Sequence, residues 1–214
     1  MPTLIDPSGS SHEATDLCLL ARKHQTDKGG WHLEAGDTVH NYTPAYYEMF
    51  KDRREDVHNV LEIGVNYGCS LRMWRDFFPY AGVIGLDTNE TCLFSEERIR
   101  CFPADQYNER DLMDVMARAG CKFDLIVDDG SHVPDHQVFS AQVLLPFLAK
   151  DGYYVIEDLT IDCKPELVGN PICMDETFKW HAIPVGRGLG KAFCPCGCGG
   201  GEQLLVIQWQ HERG

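Results

Sequence analysis

The chain has 214 residues, of which 33 are acidic and 19 basic, and its formal net charge at pH 7 is −14. Hydrophobic residues make up 43% of it, an ordinary share that predicts a single compact domain over 1–214. The negative excess repels nucleic-acid phosphates and anionic membranes, which argues against either partner. A small or neutral ligand suits this charge better.

Neither a targeting signal nor a membrane span is predicted. The first 16 residues lack a basic region, and the apolar patch at 17–21 is too short for the core of a signal peptide. Charged residues interrupt every apolar run before the roughly 20 residues needed to cross a bilayer. We therefore expect a cytoplasmic protein.

The N-terminal segment, 1–56, predicts two helices separated by a loop. Residues 10–13, Ser-Ser-His-Glu, have the pattern of a capping box and predict a helix over about 11–24. Thr43 as N-cap with Pro44 at the first helical position predicts a second helix. The polar and aromatic stretch between them predicts an ordered loop.

Residues 57–160 alternate β-rich runs with helical stretches, which predicts a parallel sheet with helices on both faces. The predicted strands are 59–65, 82–87, 99–104, 123–128 and 153–157. After the fourth strand, an apolar face formed by Val138, Ala141, Leu144, Leu145 and Leu148 predicts a helix, with Gly152 in the turn beyond it.

The C-terminal segment, 161–214, completes the sheet. Two β-rich stretches, 181–185 and 204–209, predict an antiparallel hairpin at its edge. Between them Cys194, Cys196 and Cys198 stand among glycines, which favours a flexible hairpin loop over a zinc site with three ligands. The predicted fold class is therefore α/β, with a doubly wound, mostly parallel, Rossmann-like sheet of seven strands.

Ligands of open parallel sheets bind beyond the carboxyl ends of the strands, so the residues that end each predicted strand are informative. Two glycines four residues apart follow the first strand, a spacing that differs from the nicotinamide fingerprint. An aspartate ends the second strand, where it can accept hydrogen bonds from both ribose hydroxyls, and an Asp-Gln pair follows the third, where an adenine amino group needs an acceptor. These features indicate a nucleoside ligand. The predicted cofactor-binding residues are Glu62, Gly64, Asn66, Gly68, Ser70, Asp87, Asp105, Gln106 and Asp128.

Three further carboxylates, Asp129, Glu157 and Asp158, follow the fourth and fifth strands. Neighbouring strand ends bring them together, and such oxygen ligands select Mg²⁺ or Mn²⁺. A bound metal lowers the pKa of an acceptor hydroxyl, and His132 can then accept its proton as general base. Alternatively, Asp129 merely caps a helix and His132 is a surface residue. His136 is expected to be a solvated helix residue.

The glycine pattern, the strand-ending Asp87 and the alternation over 57–160 resemble the class I S-adenosylmethionine-dependent methyltransferases. Five linked motifs resemble the metal-dependent sugar O-methyltransferases that act on macrolide glycosides: Thr26-Asp27-Lys28, His40-x-Tyr42, Ser70-Leu71-Arg72-Met73-Trp74, Asp128-Asp129-Gly130-Ser131-His132 and Ile156-Glu157-Asp158-Leu159. The resemblance implies S-adenosylmethionine as methyl donor, the same metal ligands and the same base. It also implies that Asp27, Lys28, His40 and Tyr42 close over the cofactor and the acceptor.

Family members that act on macrolide glycosides carry an N-terminal extension and a longer glycine loop, which this sequence lacks. We therefore expect a smaller acceptor, such as a mannoside or another hexoside, or a short oligosaccharide. The resemblance further implies a homodimer or larger homo-oligomer. Two alternatives stay open, namely a catechol-type or other small-molecule O-methyltransferase, and a non-catalytic nucleoside- or metal-binding module.

Overall fold

The computed structural model describes residues 3–5, 11–29, 40–159, 164–174, 176–186 and 202–210. Within these residues ten strands and six α-helices form. The strands are β1 (Thr3–Ile5), β2 (Ser11–Glu13), β3 (Asn59–Ile63), β4 (Gly82–Asp87), β5 (Ser95–Glu96), β6 (Ile99–Pro103), β7 (Phe123–Asp128), β8 (Leu148–Ile156), β9 (Phe178–Gly186) and β10 (Glu202–Trp209). The helices are α1 (Asp16–His24), α2 (Thr43–Phe50), α3 (Cys69–Phe77), α4 (Glu109–Ala119), α5 (Pro134–Leu144) and α6 (Pro165–Ile172).

Eight of the described strands form one sheet in the order β5-β6-β4-β3-β7-β8-β10-β9. Strands β6, β4, β3, β7 and β8 are parallel, and the β9–β10 hairpin is antiparallel at one edge. The predicted doubly wound α/β fold and its edge hairpin are confirmed. The sheet has one strand more than predicted, because the two-residue β5 pairs antiparallel with β6.

The order of the strands fixes where a ligand can bind. The chain builds the sheet outward from β3 through β4 to β6, and then returns to place β7 on the other side of β3. Such a reversal leaves a crevice at the carboxyl ends of the two central strands. Gly64, with φ of +94°, ends β3 at this edge, earlier than predicted.

Helices cover both faces of the sheet. Side chains of α1, α2 and α3 pack on one face and those of α4, α5 and α6 on the other. Successive residues of a strand point to opposite faces, so Val60 belongs to the first cluster and Leu61 to the second. In the described part of the chain, no helix is both long and apolar enough to cross a membrane.

The predicted first helix begins later than its capping-box pattern indicated. Ser11–Glu13 form β2, which pairs with β1, and α1 begins at Asp16 with Thr15 as its cap. The Thr15 side chain accepts a hydrogen bond from the Cys18 amide at 3.2 Å. The capping-box prediction was wrong because Ser11–Glu13 pair with the nearby Thr3–Ile5 and so belong to a strand. The N-cap of the second helix is Tyr42 and not Thr43, the residue predicted from the sequence.

The prediction around Gly152 was also wrong. Helix α5 ends at Leu144, and Leu145–Phe147 form a 3₁₀ turn, since Pro146 has no amide hydrogen with which to continue the helix. Gly152 lies inside β8, where a Cβ atom would stand 2.9 Å from the Phe123 carbonyl oxygen. Cys194, Cys196 and Cys198 lie outside the described residues.

Candidate active site

Two adjoining clefts lie at the carboxyl ends of the central strands. The larger has a volume of about 500 Å³ and the smaller about 230 Å³. Gly64, Asp87 and Gly130 line both of them, so together the clefts form one groove. This groove lies where the strand order reverses.

Gly64 brings two loops of this groove into contact. A Cβ atom on Gly64 would stand 2.1 Å from the Asp129 carbonyl oxygen, and its φ of +94° disfavours other residues. The loop after β3 therefore lies directly against the loop after β7.

Asp87 fixes the same glycine loop from the end of β4. Its Oδ2 accepts hydrogen bonds from the amides of Val65 at 2.9 Å and Asn66 at 3.2 Å. Its Oδ1 accepts from the amide of Asn89 at 2.8 Å. A carboxylate thus lies where the two clefts meet, at the position predicted for a ribose contact.

The larger cleft contains residues from five segments of the chain, and two of these are the N-terminal segment and the glycine loop. Asn66 and Ser70 come from the glycine loop and the start of α3, and Asp27 comes from the N-terminal segment. Gln25 and Thr26 also line it, and no sequence pattern pointed to Gln25.

Three side chains converge in this larger cleft. Asp129, His132 and Asp158 each offer one ligand atom, and these atoms all lie within 4.8 Å of one another. His132 and Asp158 have φ of +56° and +48°, conformations that cost about 1–3 kcal/mol each and that cluster at functional sites. The two carboxylates suit a divalent cation, and the imidazole lies beside them.

A buried lysine lies behind this cluster. The Lys28 Nζ donates to Asp129 Oδ2 at 2.5 Å and to Glu157 Oε2, and lies 3.2 Å from Glu62 Oε1. Burial opposes its charge, but Asp129, Glu157 and Glu62 hold the pKa of the ammonium well above its usual value. The protein therefore supplies a cation of its own to this acidic region.

Glu157, a predicted metal ligand, faces the protein interior. Its Oε1 accepts a hydrogen bond from Tyr46 Oη at 2.5 Å, and its Oε2 accepts from Lys28. Burial raises the pKa of its carboxyl well above the usual value, although Lys28 acts in the opposite direction. Glu157 lies outside the cluster of Asp129, His132 and Asp158, and its role as a ligand stays a prediction.

Three predicted cofactor residues line neither cleft. Glu62 is fully buried and accepts from Trp74 Nε1 at 2.7 Å. Asp128 is fully buried as well and accepts from Ser140 Oγ at 2.5 Å. Burial raises the pKa of both carboxyls. Gly68 lies against the ring of Phe94.

The predicted acceptor residues mostly support other side chains. Tyr42 Oη donates to Asp158 Oδ1, and His40 Nδ1 lies 3.4 Å from that oxygen. The rings of His40 and Tyr42 are stacked, with centroids 4.8 Å apart. Of the four residues predicted to close over the ligands, all within the described part of the chain, Asp27 is the one that lines the larger cleft.

In the smaller cleft, Gln106 is held by two partners. Its Oε1 accepts from the Ser131 amide at 2.6 Å, and its Nε2 donates to Asp128 Oδ1 at 3.1 Å. Asp105 and His136 line the cleft beside it. His136 is a half-buried helix residue of α5; its Nδ1 lies 2.9 Å from Ser131 Oγ and its ring stacks on Tyr107.

Sequence patterns gave no supporting role to Tyr46 or Trp74. Tyr46 and Trp74 occupy apolar positions of amphipathic helices, and their single polar atoms reach Glu157 and Glu62. Nothing in the local sequence distinguishes such a residue from one that only packs in the core.

Several known proteins are similar in sequence to this chain. A mycinamicin VI 2''-O-methyltransferase from Micromonospora griseorubida is 37% identical over 159 residues, which are 71% of this chain and 38% of that protein. An 8-demethyl-8-alpha-L-rhamnosyl tetracenomycin-C 2'-O-methyltransferase from Streptomyces olivaceus is 33% identical over 169 residues, 76% of this chain and 42% of that protein. The chain thus spans about two fifths of the length of these relatives. No family model matches it.

Solved structures agree with this similarity. The MycE methyltransferase from the mycinamycin biosynthetic pathway, in complex with Mg and SAH, superposes with a TM-score of 0.60 and 37% identity, covering 71% of this chain and 39% of that one. A Podospora anserina methyltransferase, PaMTH1, shares the fold over 94% of this chain and 90% of its own, with a TM-score of 0.55 and 14% identity. The chain therefore belongs to the class I S-adenosylmethionine-dependent methyltransferases and, over the shared region, is similar to sugar O-methyltransferases.

Proposed function

We propose that this chain transfers the methyl group of S-adenosylmethionine to a hydroxyl group of a sugar, with the help of Mg²⁺ or Mn²⁺. The convergence of Asp129, His132 and Asp158 in one groove with Gly64 and Asp87 carries this proposal. The relatives' names, which specify O-methylation of glycosylated antibiotics, and the MycE complex with Mg and SAH support it.

The groove accommodates the donor in two parts. Asp87 lies where the clefts meet, in position to accept hydrogen bonds from ribose hydroxyls. Asp105 in the smaller cleft offers an acceptor for the adenine amino group. The larger cleft, which Asn66 and Ser70 line, then receives the methionine end of the donor, close to the acidic cluster.

The donor set of the larger cleft fits a divalent cation, with Asp129 and Asp158 as its carboxylate ligands. When bound, S-adenosylmethionine would supply the methyl group and leave as S-adenosylhomocysteine, and the cation would lower the pKa of the accepting hydroxyl. His132 accepts the proton of that hydroxyl. Its side chain is 38% exposed, so the proton can pass on to solvent.

Lys28 and Tyr46 prepare this site before any ligand binds. Lys28 fixes one oxygen of Asp129 and one of Glu157, and Tyr46 fixes the other oxygen of Glu157. The lysine charge reduces the repulsion among the acidic groups, and the short contacts orient them.

The acceptor we propose is a small-molecule glycoside, and specifically a hexoside such as a mannoside or a short oligosaccharide. A cytoplasmic location and a homo-oligomeric state stay predictions.

A methyl-transfer screen tests the reaction. We expect S-adenosylmethionine with Mg²⁺ to methylate at least one member of a panel of hexosides, oligosaccharides and antibiotic glycosides. Excess chelator should abolish the transfer, and added Mg²⁺ or Mn²⁺ should restore it. Methylation of a catechol alone, or transfer that survives the chelator, would contradict the proposal.

Asp158→Asn tests the cation site. Asparagine tolerates the left-handed backbone at this position, so the change removes charge with little strain. We expect at least a tenfold loss of Mg²⁺ affinity, roughly 1.4 kcal/mol, in calorimetric titration, with S-adenosylhomocysteine affinity retained. The control is Asp151→Asn, at an exposed position of β8. Equal Mg²⁺ affinity in both variants would exclude Asp158 as a ligand.

His132→Asn tests the base, and asparagine again suits the positive φ. General-base catalysis contributes about 10²–10⁴-fold, so single-turnover methyl transfer should slow by roughly that factor. Binding of S-adenosylhomocysteine, measured by calorimetry, should stay unchanged. An unaltered rate would show that another group takes the proton.

Lys28→Met tests the buried ion cluster. Removing the cation leaves buried carboxylates unpaired, which costs about 3–5 kcal/mol of the free energy of unfolding, measured by urea denaturation. Adding Glu157→Gln should recover part of this loss. As control, Lys23→Met removes an exposed ion pair with Asp76 and should cost at most about 1 kcal/mol. Equal free energies of unfolding in the two lysine variants would show that the buried ion cluster does not stabilise the fold.

A further inference from the structure

The smaller cleft contains a histidine that the proposed reaction does not use. His136 lies in the first turn of α5 and lines this cleft. Its Nδ1 lies 2.9 Å from Ser131 Oγ. One face of its ring stacks on Tyr107, with centroids 4.3 Å apart and an interplanar angle of 23°. The imidazole is therefore held at one edge and on one face.

Both supports of His136 are themselves fixed. The Ser131 amide donates to Gln106 Oε1, and the Tyr107 amide donates to Asp105 Oδ1 at 2.9 Å. The Tyr107 ring also contacts Phe139, at a centroid distance of 4.9 Å. The ring of His136 is thus oriented before a ligand arrives, which lowers the entropic cost of contacting one.

The remaining walls of this cleft suit a flat heteroaromatic ring. Ile63, Leu86 and Ala104, at the ends of three neighbouring strands, provide apolar surface. Asp105 provides a carboxylate at the polar end. Because Nδ1 of His136 faces Ser131, its Nε2 is the nitrogen that can reach a ligand.

We propose that His136 is a cofactor-binding residue that contacts the adenine ring of S-adenosylmethionine, and that Ser131 and Tyr107 position it. The inference rests on the proposed function, which places the adenosine part of the donor in the smaller cleft. It adds a side-chain contact from α5 to those expected from the strand ends.

Calorimetric titration of adenosine and of S-adenosylhomocysteine into His136→Ala tests the contact. Loss of one ring contact weakens binding by about tenfold, and we expect a similar factor for both ligands because they share the adenosine part. Mg²⁺ affinity should not change. Tyr107→Ala leaves the imidazole in place without its stacking partner. It should lower the affinity for both ligands by a smaller factor.

His58→Ala is the matched control, because His58 is exposed and precedes β3 at the opposite end of the sheet. The affinity of the His58→Ala variant for each ligand should lie within about twofold of that of wild type. A folded His136→Ala variant that binds adenosine as wild type does would overturn the inference, and if that variant does not fold, unchanged binding by Tyr107→Ala would overturn it. Wild type that binds neither ligand would instead contradict the proposed function.

Discussion

The buried ammonium of Lys28 holds the carboxyl ends of three adjacent strands together. It pairs with Glu62 from β3, Asp129 after β7 and Glu157 after β8. Buried carboxylates without a counter-ion repel one another and lose hydration, so this acidic edge depends on the lysine. Because Lys28 follows α1, the same contacts fasten the N-terminal segment to the sheet. Tyr46 of α2 reinforces that attachment through Glu157.

Around this buried cluster, three residues that face the groove have left-handed backbones. Asn66, His132 and Asp158 all have positive φ, and they follow the ends of β3, β7 and β8 respectively. Hydrogen bonds from the loop amides to Asp87, and from Tyr42 to Asp158, oppose relaxation at two of these points. The interior contacts thus stabilise a conformation that turns polar side chains toward one cavity.

Much of this arrangement could be predicted from local sequence. Strands β4 and β7 have the predicted bounds because β-rich runs there end at polar residues, and parallel strand ends bring Gly64, Asp87 and Asp129 to one edge. Contacts between distant segments could not be predicted in this way. Lys28, for example, meets a carboxylate 129 residues away. The orientation of His136 likewise depends on Tyr107, which comes from another loop.

The contact between Gly64 and the Asp129 carbonyl has a consequence for how this scaffold can diversify. The floor of the groove is packed backbone against backbone, so it cannot be enlarged or reshaped by exchanging side chains there. The walls that can vary without disturbing the sheet are those contributed from outside it, at Gln25, Thr26 and Asp27. Substitutions that reshape the groove are therefore directed to the N-terminal segment, while the side formed by the glycine loop keeps its shape.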